Sequence, residues 1–195
     1  MTTKSDTGGI ADVQLQDLSL EDRIANLEQE VLHLREQAPR ADKATLLIFS
    51  SDLDKVLAGL VIATTAASMG MEVTVFFTFW GLNVLKEKRV YHGKAVMERM
   101  IDLMTPTGPG HMGVSRMNMG GAGAAMLKHM MKGKNVMSGD EFLSLAKESG
   151  VRLIACSMSM DVMGIRKEEL TDGIDVGGAA AYLGEAARSG VTLFI

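Results

Sequence analysis

Residues 44–77, ATLLIFSSDLDKVLAGLVIATTAASMGMEVTVFF, decide the fold. The stretch begins with the apolar run 44–50 and ends with the apolar run 71–77, and both are typical of buried strands. Between them, residues 53–69 fit a helix, and Asp52 is among the capping side chains at its start. A strand, a helix and a second strand in this order predict a right-handed βαβ unit with parallel strands.

The same alternation continues towards the C-terminus. Two further apolar runs are typical of buried strands, and three segments fit helices; the runs are 151–155 and 191–195, and the helical segments are 124–131, 141–149 and 179–188. Alternating strands and helices predict an α/β fold with an open, mainly parallel sheet and helices on both faces. In such sheets ligands bind at the carboxyl ends of the strands.

The N-terminal region has a different pattern. Residues 1–17 are polar and without a sustained period, so we expect a disordered lead. Within 18–38, apolar residues alternate steps of four and three, as in the a/d seam of a coiled coil; they are Leu20, Ile24, Leu27, Val31 and Leu34. We expect this helix to pair with a partner helix. The alternative is an amphipathic helix that packs on its own domain. The α/β domain is expected over 44–195.

Composition excludes several classes of function. The net charge of -4 gives no general argument for binding nucleic acid or an anionic membrane surface. The two uncharged stretches, 56–71 and 73–85, are shorter than a membrane-spanning helix requires, so we expect no stable membrane insertion. The single cysteine cannot form an internal disulfide, and the first residues lack a secretory signal, which indicates a cytoplasmic protein.

Two segments stand outside the strand and helix pattern. Residues 84–102 are rich in interleaved charges, and we expect a partly helical, solvated face. Residues 104–123 contain several methionines, glycines and prolines without a period, and a loop of this length indicates a lid, a partner surface or a disordered segment. The 16 methionines of the chain favour adaptable packing or an adaptable contact surface.

The cysteine is the leading candidate for chemistry. Cys156 follows the predicted strand 151–155, and Ser157 and Ser159 can cap a helical turn whose first amides point at the sulfur. Such a position favours the thiolate. Asp52 and the segment 80–83, with Trp80 and Asn83 at its ends, follow other predicted strands and are expected near the same crevice. The tryptophan is expected either to close the core or to line the site.

From the residues alone, four interpretations of this thiol stay open: a buried cysteine without a chemical role, a metal ligand, a peroxidatic cysteine or a sulfur carrier. The histidines, which are His33, His92, His111 and His129, have no short Cys/His spacing, so we expect no metal site. No phosphate-loop pattern occurs, and we expect no cofactor. Because a peroxidatic or disulfide enzyme would need an external resolving thiol, the lack of a second cysteine favours a carrier.

A series of segments resembles the DsrE-like sulfurtransferase family, in its larger, Met-rich branch, some members of which are labelled peroxiredoxin-like. The segments are FSSDLDKVLAGLVIATTAASMGMEVTVFFTFWGLN (49–83), SRMNMGGAG (115–123), GVRLIACSMSMDVMGI (150–165) and GVTLFI (190–195). The resemblance covers about 44–195. The Thr-x-x-Cys pattern of peroxidases is absent from the sequence.

The resemblance implies a three-layer, flavodoxin-like fold with about five strands, and homo-oligomers. It also implies that Cys156 carries a persulfide and exchanges sulfur with a TusA-like sulfur carrier or a rhodanese-type protein. It supplies no role for any other residue. A thiol peroxidase or redox sensor using the same cysteine, and a non-enzymatic oligomeric interaction module, remain alternative hypotheses.

Overall fold

The computed structural model describes residues 19–195, except for the side chains of residues 36 and 37. Residues 1–17, for which a disordered lead is predicted, lie outside the described residues. The chain divides into two units between Ala38 and Pro39. Helix α1 (Leu20–Gln37) belongs to the first unit, and the other described helices and strands belong to the second.

Helix α1 is capped by Ser19, whose hydroxyl oxygen accepts a hydrogen bond of 3.2 Å from the amide of Asp22. A helix over this segment agrees with the heptad pattern. All five seam residues are exposed, by 45% to 75% of their surface. Whether the seam pairs with another helix stays a prediction.

The second unit is built on a five-stranded parallel sheet with the order β4-β3-β2-β1-β5. The strands are β1 (Arg40–Ile48), β2 (Glu72–Phe77), β3 (Arg152–Cys156), β4 (Asp175–Gly177) and β5 (Ser189–Phe194). The predicted βαβ unit is confirmed, since β1 and β2 are parallel neighbours joined through a helix. The open, parallel α/β sheet is confirmed with it.

Helices cover both faces of the sheet and complete three layers. The second unit contains α2 (Leu53–Ser68), α3 (Val96–Met104), α4 (Ala122–Gly133), α5 (Gly139–Glu148), α6 (Ser157–Met163) and α7 (Ala179–Ala186). Side chains of α2, α5 and α6 pack on one face, in the larger apolar core. On the other face, Tyr182 of α7 packs against a small cluster of Leu47, Phe76, Ile154 and Cys156. Because side chains alternate between the two faces along a strand, the cysteine lies on the face with the smaller apolar cluster.

The strand predictions need three corrections. Strand β1 begins at Arg40, four residues before the predicted start, because Arg40 already pairs with Ser189 of β5. The polar residues before the apolar run fit this strand, since Lys43 is held by Glu72 at 2.9 Å and by Glu185 at 2.5 Å. The short strand β4 was missed in the sequence because three residues carry too little pattern. Strand β5 is present but lies at the sheet edge, so it is largely exposed rather than buried, with Phe194 68% exposed.

The charged segment 84–102 is not the solvated face that its composition suggests. Three of its charged side chains, Lys86, Lys94 and Asp102, lie inside the domain with a partner from outside the segment, Glu169. All four side chains are at most 2% exposed. Asp102 pairs with Lys86 and, at 3.2 Å, with Lys94, which also contacts Glu169 at 2.7 Å. The prediction was wrong because oppositely charged side chains far apart in sequence satisfy one another in the interior.

The methionine-rich segment 104–123 follows an irregular path with two short 3₁₀ turns, Pro109–His111 and Met119–Gly121. It contacts the first turn of α2. The amide of Leu53 donates to the carbonyl of Gly113 at 2.7 Å, and the amide of Ser115 donates to the carboxylate of Asp54 at 2.9 Å. Met112 is buried in the main core.

Within residues 19–195, no helix combines the length and the apolar character that crossing a bilayer requires.

Replacing Asp102 with asparagine tests the buried ion cluster. The change leaves Lys86 and Lys94 buried without one of their two carboxylates, so we expect the free energy of unfolding in urea at pH 7 to fall by about 3–5 kcal/mol. Asp172→Asn, at an exposed loop carboxylate, is the control and should change it by less than about 0.5 kcal/mol.

The effect of pH separates loss of charge from loss of packing. Burial raises the pKa of Asp102, but Lys86 and Lys94 outweigh it and hold that pKa below its usual range. The carboxylate's contribution is therefore complete above about pH 4 and is lost as the pH falls further. The difference between wild type and Asp102→Asn should narrow below that pH, and a difference that stays constant would contradict an electrostatic origin.

Candidate functional site

The candidate site is centred on Cys156, the last residue of β3. Helix α6 begins at the next residue, and Cys156 occupies its N-cap position. The residue is 4% exposed and pairs in register with Gly177 of β4. The thiol therefore lies at the carboxyl edge of the sheet, as predicted, but beneath the surface.

Polar donors around the sulfur set its charge state. Burial raises the pKa of the Cys156 thiol, but this effect is outweighed by hydrogen bonding from the hydroxyl and amide of Ser159, the hydroxyl of Thr78 and the amide of Met158. The net result is a pKa below the usual range of a cysteine. The site therefore favours the thiolate, which is the nucleophilic form of the residue.

The two hydroxyls near the thiol are linked to each other. Thr78 Oγ1 and Ser159 Oγ are 2.8 Å apart, and the side chain of Ser159 is fully buried. Each hydroxyl has one proton. Either both protons are directed at the sulfur, or one hydroxyl donates to the other, which then donates to the sulfur. The pair can thus follow a change in the charge of the thiol without movement of the backbone.

Parallel pairing explains why Thr78 reaches the thiol. Phe77, the last residue of β2, pairs with Ala155 of β3, so the next residues of the two strands, Thr78 and Cys156, leave the sheet side by side. Thr78 is not among the predicted site residues, because the sequence leaves the strand order undetermined. The signal was its position directly after a predicted strand.

The two serines after the cysteine have different roles. Neither caps α6, because Cys156 occupies the N-cap position and both serines lie inside the helix, so the predicted capping is wrong. The first amides of the helix do act on the sulfur, as expected. Ser159 contributes through both its hydroxyl and its amide, whereas Ser157 makes none of these contacts.

Asp52 lies away from the thiol. It follows β1, which is separated from β3 by β2, and neighbouring strands are spaced about 4.8 Å apart. Its carboxylate accepts hydrogen bonds from Ser50 Oγ at 2.9 Å and Lys55 Nζ at 2.6 Å. It stands at the N-cap position of α2 without a side-chain capping bond. The structure therefore does not join Asp52 to Cys156.

Trp80 and Asn83 lie in the 3₁₀ helix Phe79–Leu85, which directly follows Thr78. Trp80 is 50% exposed, so it does not close the core. Asn83 is fully buried and donates from Nδ2 to the carbonyl of Trp80 at 3.0 Å. Its Oδ1 has no partner among the described residues. Neither side chain is among the groups that act on the sulfur.

Comparison with known proteins identifies the family. The model of the DsrE/DsrF/DrsH-like family matches residues 40–194, which is almost the whole second unit. The chain belongs to the DsrE/DsrF/DrsH-like family. This confirms the resemblance drawn from the sequence segments and extends it to the start of β1.

The chain aligns with two curated relatives over nearly their full lengths. The chain is 44% identical to the uncharacterized protein YrkE of Bacillus subtilis over 154 residues, which are 78% of this chain and 96% of YrkE. It is 35% identical to the sulfur carrier protein DsrE2 of Allochromatium vinosum over 159 residues, which are 78% of this chain and 98% of DsrE2. Among solved structures, the ychN protein from E. coli has a TM-score of 0.46 and 9% identity, covering 78% of this chain and 98% of ychN.

Ser159→Ala tests the donors around the thiol of this family member. Losing the hydroxyl should raise the pKa of Cys156, because the thiolate loses a hydrogen bond. We expect the rate of alkylation by iodoacetamide at pH 7 to fall several-fold and the midpoint of its pH profile to rise.

Ser157→Ala is the matched control, and its midpoint should equal that of the wild type. If a substitution changed only the access of iodoacetamide to the thiol, the alkylation rate would change by the same factor at every pH. The midpoint of the pH profile would then stay the same. An equal rise in both variants would contradict the specific role of Ser159.

Proposed function

We propose that the protein relays sulfur, carrying it as a persulfide on Cys156. The observation that carries the proposal is a single thiol, whose pKa is lowered by donors from two strand ends, in a chain homologous to a sulfur carrier protein. A lone cysteine in this form also suits a reducing, cytoplasmic compartment.

The chemistry follows from the thiolate. Cys156 Sγ attacks the outer sulfur of a donor persulfide, a new S–S bond forms, the donor's S–S bond breaks, and the donor leaves as a thiolate. In the second step an acceptor thiolate attacks the outer sulfur of the Cys156 persulfide, and Cys156 leaves with the bonding electrons. Both steps are exchanges without net oxidation. A thiol of low pKa leaves faster, so the donors from Ser159, Thr78 and Met158 assist the second step.

The lack of a second cysteine also protects the persulfide. A second nearby thiol would attack the persulfide, release sulfide and leave a disulfide. This sequence contains no second cysteine, so the outer sulfur can leave only to an external thiol or reductant. The chain is suited to holding sulfur between partners.

The partner in this proposal is a TusA-like sulfur carrier or a rhodanese-type protein, as the family resemblance implies. Next to Thr78, the side chains of Phe79 and Trp80 are 43% and 50% exposed and offer such a protein an apolar contact. The persulfide places its outer sulfur, which is the atom to be transferred, about 2 Å from Sγ.

Intact-mass measurement after exposure to polysulfide tests the function. The wild type should gain the mass of one sulfur atom, and dithiothreitol should remove it. Cys156→Ser should gain nothing. The charged wild type should then transfer sulfur to the thiol of a TusA-like carrier, which would gain the same mass.

Equal sulfur addition to the wild type and to Cys156→Ser would contradict the proposal. Rapid consumption of hydrogen peroxide, with a sulfenic acid trapped at Cys156 and no sulfur transfer, would favour the thiol peroxidase or redox sensor. A cysteine inert in both assays would favour the oligomeric interaction module.

We further propose that α1 joins copies of the chain through its apolar seam. The seam residues are exposed along one side of the helix, and a helix of fewer than three heptads is marginal alone. Pairing would bury this surface and support a homo-oligomer.

Leu27→Glu, at the centre of the seam, should lower the molecular mass in solution, as measured by light scattering at matched concentrations. Leu32→Glu is the control, because Leu32 is 60% exposed on the same helix but lies off the seam. Loss of mass in both variants, or in neither, would count against a coiled coil.

A further inference from the structure

Helix α3 has its polar and apolar faces reversed for a helix on the surface of a domain. Its inner side carries Glu98, Asp102 and the following Thr105, which are buried or half-buried. Its outer side carries five large apolar residues that are more than half exposed: Val96, Met97, Met100, Leu103 and Met104. A surface helix normally has the opposite arrangement.

The buried ion cluster fixes this orientation. Asp102 projects from α3 to Lys86 and Lys94, and Lys94 is bound in turn to Glu169. Rotating the helix to bury its apolar side would withdraw Asp102 and leave two buried lysines short of a partner, which is strongly unfavourable. The apolar side of α3 is therefore held outward by its polar side.

The exposed area is large enough for a stable contact. Helix α6 packs against α3 and adds Met158 and Val162, which are 54% and 62% exposed. A stable homodimer needs about 800 Å² from each partner, and seven large side chains that are more than half exposed supply an area of that order. Apolar patches of this size on soluble domains mark interaction sites.

The spacing of the outer residues points to the occupant. Positions 96, 97, 100, 103 and 104 are symmetric about Met100, with neighbours three and four residues away on each side. In a two-fold symmetric contact, residue i of one copy meets residue j of the other and j meets i. A stripe that is symmetric about its centre is therefore complementary to itself when the second helix runs antiparallel.

We propose that α3 is a homodimer interface, in which two copies pack this helix antiparallel about a two-fold axis at Met100. Met100 then meets Met100, and Val96 and Met97 of one copy meet Leu103 and Met104 of the other.

Charge supports a second copy over a charged partner. The stripe itself contains no ionised side chain, and its charged neighbours on the helix, the half-buried Glu98 and the exposed Arg99, have opposite signs. A surface for an acidic protein or an anionic bilayer would be bordered by basic residues. Two neutral stripes approach each other without repulsion, and methionine side chains adapt readily to one another.

Cysteine cross-linking in the full-length chain tests the geometry. In a Cys156→Ser background, Met100→Cys supplies one thiol at the proposed axis and should give a disulfide-linked dimer under mild oxidation. Val96→Cys alone should not, because the two Val96 positions would be about 12 Å apart along the axis. A mixture of Val96→Cys and Met104→Cys chains should give the cross-linked heterodimer.

Met130→Cys is the matched control, since Met130 is 58% exposed on α4, outside the proposed interface. As a second measurement, in a Leu27→Glu background, which removes the proposed contact of α1, Met100→Arg should reduce the mass in light scattering twofold while circular dichroism stays unchanged. The result does not depend on sulfur loading at Cys156.

Three results would overturn the proposal. The first is cross-linking of Met100→Cys no greater than that of Met130→Cys, which is also expected if a different protein or a lipid surface covers α3. The second is self-cross-linking of Val96→Cys, which would show a parallel contact. The third is an unchanged mass for Met100→Arg.

Discussion

The parallel pairing of β2 with β3 is the constraint on which the candidate site depends. In-register hydrogen bonding aligns Phe77 with Ala155, so the residues that come next, Thr78 after β2 and Cys156 at the end of β3, lie side by side. Two chain segments far apart in sequence thereby supply one environment: β3 leads into the first amides of α6, and β2 supplies a hydroxyl that bonds to Ser159. An antiparallel neighbour would have brought the opposite end of its strand to this edge.

A second constraint operates through charge. The cluster of Lys86, Lys94, Asp102 and Glu169 joins the long connection after β2 to the segment before β4. Backbone amides reinforce it, since those of Val90 and Arg166 each donate to Glu169 at 2.8 Å. Such a cluster contributes less to net stability than to the choice of one arrangement, because any other arrangement leaves a buried charge unpaired. Here the choice decides which side of α3 faces solvent.

Local pattern in the sequence was sufficient for the elements with strong periodicity. The apolar runs of β1, β2 and β3, the helix between β1 and β2, and the position of Cys156 at a strand end could all be predicted, and the extended resemblance gave the family. What could not be predicted depends on contacts between distant residues. Predicting that Thr78 lies near the thiol requires the strand order. Predicting that Asp102 is buried requires knowing that it pairs with two lysines, and predicting that β5 is exposed requires knowing that it lies at the sheet edge. Asp52 was included because it follows a strand, but that strand is not adjacent to β3.

The unequal thickness of the two helical layers has a consequence for motion. Among the described residues of the α/β unit, the face that holds the thiol is covered by one eight-residue helix, α7, which packs on a four-residue apolar cluster that includes Cys156, beside a three-residue strand. Cooperative units with little buried apolar surface open at a smaller free-energy cost than the whole domain. Transient detachment of α7 and β4 would uncover the sulfur while the larger core on the opposite face stays intact. Amide hydrogen exchange in α7 should therefore be faster than in α2, and the difference would report the free energy needed to expose the buried thiol to a partner protein.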